Sequence, residues 1–238
     1  MNTASPAIAV QGLGKRYGPQ AALKSLDLAV APGERLAVFG PNGSGKTTLL
    51  RILSGLTRQT KGEFTIAGMD YRRDGMALRQ KVGVVAHHPY LYEDLSAEEN
   101  LRFYGRMFGL ADPAARAEAL LAQVGLAARR RDKARTFSRG MQQRLALARA
   151  LLHDPDILLM DEPDTGLDQE GSHLIQGLLH REGAPRTVVM ATHNLALGRA
   201  HCLRFLILAA GRIAHQSSLE NIGTAELQET YQRYVTAR

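Results

Sequence analysis

With 238 residues, 45% of them hydrophobic and 22% charged, the chain can bury a full core and is too ordinary in charge for intrinsic disorder. Thirty Lys and Arg against 23 Asp and Glu leave a net charge of +7, which directs attention to anionic partners: nucleotides, nucleic acid or an acidic lipid surface. A single cysteine, Cys202, excludes an internal disulfide framework and argues against a structural zinc site.

The first eighteen residues show no basic leader followed by an apolar core, so no secretory signal is expected. Apolar runs such as Phe205–Ala210 fall far short of the ~18 residues of a membrane span, and a cytoplasmic location follows. Short apolar or alternating segments at Ala7–Val10, Leu23–Val30, Leu36–Phe39 and Phe64–Ala67 predict strands, punctuated by Gly18, Pro32, Gly33 and Gly62. A further strand is read at Val82–Val85. From about Ala97 to Leu152 the character becomes helical: Ala, Leu, Glu and Arg dominate, and Met141, Leu145, Ala148 and Leu152 recur at helical spacing. Buried-type strands return at Ile157–Met160, Thr187–Ala191 and Leu203–Leu208, the last followed by a turn at Gly211. Apolar strands without alternation imply a sheet covered on both faces, hence one α/β core with a helical insertion near residues 97–152.

The chemistry concentrates at strand ends. Gly40, Pro41, Asn42, Gly43, Ser44, Gly45, Lys46 and Thr47 fit the P-loop pattern, with an apolar strand leading in and a helix-forming run from Thr48 to Leu53 leading out. Glycines let the backbone curl with its N–H groups inward around β- and γ-phosphate oxygens, and the following helix N-terminus adds partial positive charge. Lys46 supplies a point charge, and the Thr47 hydroxyl can join the coordination of Mg²⁺. The strand Ile157–Met160 ends in Asp161 and Glu162, adjacent acids that repel each other unless a cation or proton relieves them. Asp161 suits Mg²⁺ through water, and Glu162 suits the orientation or deprotonation of an attacking water. Thr187–Ala191 likewise ends in Thr192 and His193, and this histidine could donate a hydrogen bond to a γ-phosphate while contacting the base.

These residues together resemble the nucleotide-binding subunits of ABC transporters, and the resemblance covers nearly the whole chain. Beside Walker A (Gly40–Thr47) and Walker B (Ile157–Glu162), Phe137–Arg144 looks like the signature, Asp164–Asp168 like the D-loop, and His193 like the H-loop. The resemblance implies a single domain over residues 5–238. Its fold would be a P-loop NTPase with a RecA-like core, an N-terminal antiparallel β subdomain and an inserted helical subdomain. It also implies ATP hydrolysis with Mg²⁺, adenine stacking on Tyr17, nucleotide contacts from Thr48 and Asp168, and a homodimer with ATP sandwiched between P-loop and signature. Ser138 can cap a helix beginning at Arg139 and Gly140 allows close backbone approach, making a second anion-binding helix end for the partner's γ-phosphate. Two departures stand out. Arg139 and Met141 replace the commoner Gly and Gln of the signature, while Ser138 and Gly140 remain. His87 falls at the Q-loop glutamine; a neutral imidazole there could reach a Mg²⁺-bound water, and a plain hinge role is the alternative.

Without spans of its own, a transporter subunit must sit peripherally on the cytoplasmic face of the membrane against a separate permease, and residues 90–101 occupy the family's docking surface. Within the family the chain looks most like the heme exporter subunit of cytochrome c biogenesis, carried by Val85–Leu95, Glu99–Tyr104 and Phe137–Arg144. The short stretch after the last strand-like segment fits that reading. An ABC-2-type drug or polysaccharide exporter is the alternative. A soluble ATPase acting on nucleic acid is the reading from another class, supported by the basic cluster Arg129–Lys133. A long coiled coil, a second cassette and an aromatic platform are all absent from the sequence, so no nucleic-acid partner is expected.

Overall fold

A computed structural model of the chain describes residues 5–167, 169–179, 183–220 and 222–236. In chain order, β1 (Ile8–Tyr17) and β2 (Gln20–Val30) form a hairpin, β3 (Arg35–Phe39) feeds α1 (Lys46–Leu53), and β4 (Lys61–Ile66) returns to β1. Then come α2 (Tyr71–Lys81), β5 (Val82–Val85), α3 (Ala97–Met107), α4 (Pro113–Gln123), α5 (Arg139–Ala150) and β6 (Ile157–Asp161). The chain continues through α6 (Gln169–Leu179), β7 (Thr187–Ala191), α7 (Leu195–His201), β8 (Arg204–Ala209), β9 (Arg212–Ser218) and α8 (Thr224–Thr236).

Two sheets result. One is antiparallel, in the order β2-β1-β4; the other has six strands in the order β5-β6-β7-β3-β8-β9, parallel except for the antiparallel pair β8 and β9. This is the P-loop ATPase architecture of the α/β class, with the antiparallel N-terminal sheet laid on one face of the central sheet. Alternate residues of the inner strands serve opposite cores. Leu36 and Val38 pack with the N-terminal sheet and α1, whereas Ala37 and Phe39 pack with the helices on the other face. Each such leucine or phenylalanine taken from water is worth about 1.5–3 kcal/mol, which explains why these strands read as unbroken apolar runs.

The helices between β5 and β6 each carry their own start signal. Ser96 and Glu99 make a reciprocal capping box on α3, Asp112 caps α4 just before Pro113, and Ser138 caps α5. Buried Asn100 clasps the preceding loop: its side chain accepts from Tyr92 N at 2.8 Å and donates to Tyr92 O at 2.9 Å and Ser96 O at 2.9 Å. Two of the four cations of the basic cluster are paired in place, Arg129 with Asp132 and Arg130 at 3.7 Å from both Glu98 and Glu118, while Arg131 and Lys133 are exposed. Among the described residues no helix is long and apolar enough to cross a membrane.

At the end of α5 the His153 ring stacks on Phe108, 3.8 Å between centroids, and burial is the main cause that pulls its pKa down to about 4. The unfolded chain therefore binds a proton here that the folded chain refuses, between the ordinary 6.5 and about 4, so stability is complete above that window and falls as pH drops through it. Urea unfolding at pH 7.5 and 4.5 should show the native chain losing about 2–3 kcal/mol more than His153→Gln over the same interval. Parallel losses would place the acid sensitivity elsewhere.

Candidate functional site

The carboxyl ends of β3, β5, β6 and β7 lie side by side on one edge of the central sheet, the place where parallel α/β sheets bind ligands. A cleft of about 730 Å³ opens there, lined by Tyr17, Gln20–Ala22, Pro41–Thr48, His87, Arg139, Asp161, Glu162, Thr165 and His193.

The loop after β3 is shaped by its glycines. Gly40 sits at φ 156°, and a β-carbon there would stand 2.3 Å from Leu208 O and 2.6 Å from Ser44 Oγ. Gly45 caps α1 in a left-handed conformation, so the first turn of that helix opens toward the cleft. Lys46 Nζ folds back over the loop, donating to Gly40 O at 2.6 Å and Pro41 O at 3.3 Å. Burial lowers its pKa, opposed by the nearby charges of Glu162 and Asp161. Ser44 Oγ is buried without a partner, an open position in a cradle of donors. Ser44, the lysine and the loop amides together fit a chain of phosphates.

Asp161 ends β6. Burial raises its pKa, countered by a hydrogen bond from Thr47 and by the neighbouring His87 and Lys46, and its Oδ1 is a buried acceptor with no partner. A buried carboxylate beside a threonine hydroxyl fits a hard divalent cation. Glu162 follows with φ 49°, a left-handed backbone uncommon for a residue with a side chain, held by its N–H donating to Ala191 O at 2.8 Å. That turn swings its carboxylate to the end of β7, where three donors meet Oε2: Thr192 Oγ1 at 3.1 Å, His193 N at 3.3 Å and His193 Nδ1 at 2.8 Å. The acid and the histidine thus form a direct pair at the mouth of the phosphate loop.

Tyr17 is exposed at the outer end of the cleft beside Gln20–Ala22, with the Lys15 ammonium 4.8 Å from its ring centre. His87 reaches the same cleft from the end of β5. Gly40 lies behind the lining and contributes its carbonyl.

Ser138 and Gly140 do not line this cleft; they form the start of α5. There Ser138 Oγ accepts from Met141 N at 3.3 Å, which leaves its hydroxyl proton to donate elsewhere. A β-carbon on Gly140 would stand 2.5 Å from Gly166 O, so this glycine lets the signature lie directly on the loop that follows Glu162. Gln143 strengthens that contact by donating to Pro163 O at 3.0 Å. Asp168 lies outside the described residues. Sequence reasoning gives no role to Asn194, which caps α7 and donates to Asp164 Oδ2 at 2.9 Å; its only signal is an Asn just ahead of a helical run.

The sequence profile of the ABC transporter family matches residues 23–165, more than half of the chain. The chain belongs to the ABC transporter family. It is 40% identical over 206 residues to Nod factor export ATP-binding protein I of Cupriavidus metallidurans, a match spanning 85% of this chain and 68% of that protein. It is 38% identical over 222 residues to Daunorubicin resistance ATP-binding protein DrrA3 of Streptomyces coeruleorubidus, covering 92% and 70%. The fold matches a solved ATP-binding subunit of an ABC transporter at a TM-score of 0.87 and 29% identity, over 96% and 99% of the two chains. It also matches an ATP-binding cassette solved as a dimer in a post-hydrolysis state with ADP and Pi, at 0.81 and 28%, over 90% and 100%. This ABC cassette is therefore an ATP-hydrolysing, transport-coupled enzyme.

On the expectation that Lys46 donates to phosphate, replacing it with Ala removes a charge-assisted hydrogen bond worth about 1.5–3 kcal/mol, so ATP affinity should fall at least about tenfold. Equilibrium binding of a fluorescent ATP analogue measures it, and an unchanged dissociation constant would count against phosphate binding at this loop.

Proposed function

We propose that the chain is the ATPase subunit of an exporter of the ABC-2 kind, working as a homodimer on the cytoplasmic face of the membrane and bound peripherally to a separate permease. The observation that carries the ATPase mechanism is the 2.8 Å contact between His193 Nδ1 and Glu162 Oε2 beside the phosphate loop. Export is supported by the relatives, which are named for Nod factor export, daunorubicin resistance and linearmycin resistance. Heme export, expected from the sequence, finds no support among them, and the drug or polysaccharide exporter reading takes its place.

In this reading the amides of residues 42–48, with Lys46 and Ser44, bind the β- and γ-phosphates while Tyr17 stacks on adenine. Thr47, Asp161 and His87 would hold Mg²⁺, whose charge would offset that of the phosphates. Glu162 is fixed through Oε2 by three donors, leaving Oε1 to accept a proton from the attacking water. With Nδ1 donating to Glu162, His193 can also donate Nε2–H to a γ-phosphate oxygen only as the imidazolium, whose charge the Glu162 carboxylate would balance. Ser138 and Gly140, outside the lining of their own cleft, close over the nucleotide of the second copy, a contact for which Asp168 is also a candidate. The face around residues 90–101 docks the permease.

Glu162→Gln should retain ATP binding, lose hydrolysis by about 10²–10⁴-fold, and accumulate as a dimer in excess Mg-ATP during size-exclusion chromatography with light scattering. Rapid steady-state turnover by that variant would remove Glu162 from its role. His193→Ala, which takes from the glutamate its ring donor and leaves the backbone N–H, should likewise depress turnover more than it weakens binding. In inverted vesicles containing the permease, ATP should drive accumulation of daunorubicin or a Nod factor; accumulation of heme alone would reverse the choice of cargo class.

A further inference from the structure

Tyr17 is the last residue of β1, at a place where the sheet does little to hold its ring. The β1–β4 ladder ends at the pair Gly14 and Lys61; beyond it the strand pairs with β2 alone, and Tyr17 stands opposite Gln20 across the turn at Gly18 and Pro19. The residue is 48% exposed. A phenol ring at the tip of a hairpin can turn about two bonds, and a platform for a flat ligand loses that freedom at a cost to affinity.

The backbone around the ring is nonetheless fixed. Arg16 N donates to Thr60 Oγ1 at 3.0 Å, Thr60 N to Gly14 O at 2.8 Å, and Arg16 Nη2 to Pro19 O at 2.6 Å. The remaining tie is a side chain that also meets the ring. Lys15 Nζ donates at 2.7 Å to Arg58 O, in the segment that joins α1 to β4, and stands 4.8 Å from the centre of the Tyr17 ring. Tyr17 and Gln20–Ala22 line the nucleotide cleft and neither Lys15 nor Arg58 does, so the ammonium takes the ring face turned from the cleft and leaves the other to a ligand. Two physical effects follow. The attraction between the cation and the π face holds the ring in one orientation. The cation also draws π electrons toward itself, which lessens the repulsion between the ring and an electron-rich base stacked on the opposite face.

We propose that Lys15 is a positioning residue for the nucleotide base: anchored on Arg58 O, its ammonium backs the Tyr17 ring and presents the opposite face, already oriented, to adenine. The inference rests on the reading of Tyr17 as the adenine platform and deepens it. Lys15 itself touches no part of the nucleotide. Its effect reaches the base through the ring, so it is confined to ligands that carry a base.

The test is calorimetric titration of the whole chain with Mg-ATP and with magnesium tripolyphosphate, which offers the phosphate loop its charges without a base. Lys15→Met, which keeps an unbranched stem and removes the charge, should weaken ATP binding about two- to fivefold and leave tripolyphosphate binding unchanged. Lys15→Arg, which keeps a cation and a donor, should restore most of the ATP affinity. Tyr17→Ala should weaken ATP and spare tripolyphosphate, and adding Lys15→Met to it should have no further effect. Equal losses for the two ligands would mean that the ammonium acts on the phosphates through space, and would overturn the inference. So would ATP affinity that survives Lys15→Met, or additive losses in the double variant; each of these results leaves Tyr17 as the platform. ATP binding unaltered by Tyr17→Ala would instead remove the adenine reading itself.

Discussion

The register between β6 and β7 is the constraint on which the active constellation depends. Asp161 stands opposite Ala191, and the Ala191 carbonyl takes the Glu162 N–H at 2.8 Å. That single bond holds a glutamate in a left-handed turn and sends its carboxylate sideways toward Thr192 and His193 instead of onward along the strand. A slip of one residue would reverse the faces of the strand and place an apolar side chain where the acid belongs. Five consecutive buried residues in each strand make such a slip costly, so the apolar core enforces the polar geometry.

The electrostatics follow from the same edge. Lys46 and Asp161 share a partly desolvated space beside Glu162, where burial works against both charges, the two acids support the ammonium and the ammonium supports Asp161, and the unpartnered atoms there belong to Ser44 and Asp161. The excess of basic residues elsewhere is a poor guide to function, because in the cluster Arg129–Lys133 two of the four cations are already tied by ion pairs and the backbone is bonded to the start of α3. The charges that matter are few and buried, while the conspicuous ones are solvated.

Much of this was legible in the sequence because the relevant signals are local. The glycine spacing of residues 40–45, an apolar run ending in two acids and a serine ahead of a helical stretch each encode geometry within a few residues. What was not legible depended on distant contacts or broken periodicity. β1 extends to Tyr17, beyond the expected Ala7–Val10, because Gly12 at φ 57° and the register shifts after Val10 interrupt the alternation. α2 escaped notice because only Leu78 is buried and Asp74 kinks it, and β9 because an edge strand with one half-covered face carries little pattern. The pairing of Glu162 with His193 joins residues 31 apart, and no spacing rule announces it.

The self-contact of Lys46 has one more consequence. By donating to Gly40 O and Pro41 O, the ammonium braces the very loop it will later serve, the two carbonyls standing in as acceptors for the oxygens of the anion. Nucleotide arrival is then a swap of acceptors on a ready-made scaffold and does not require disordered backbone to organise itself, so capture can be quick even when occupancy is brief.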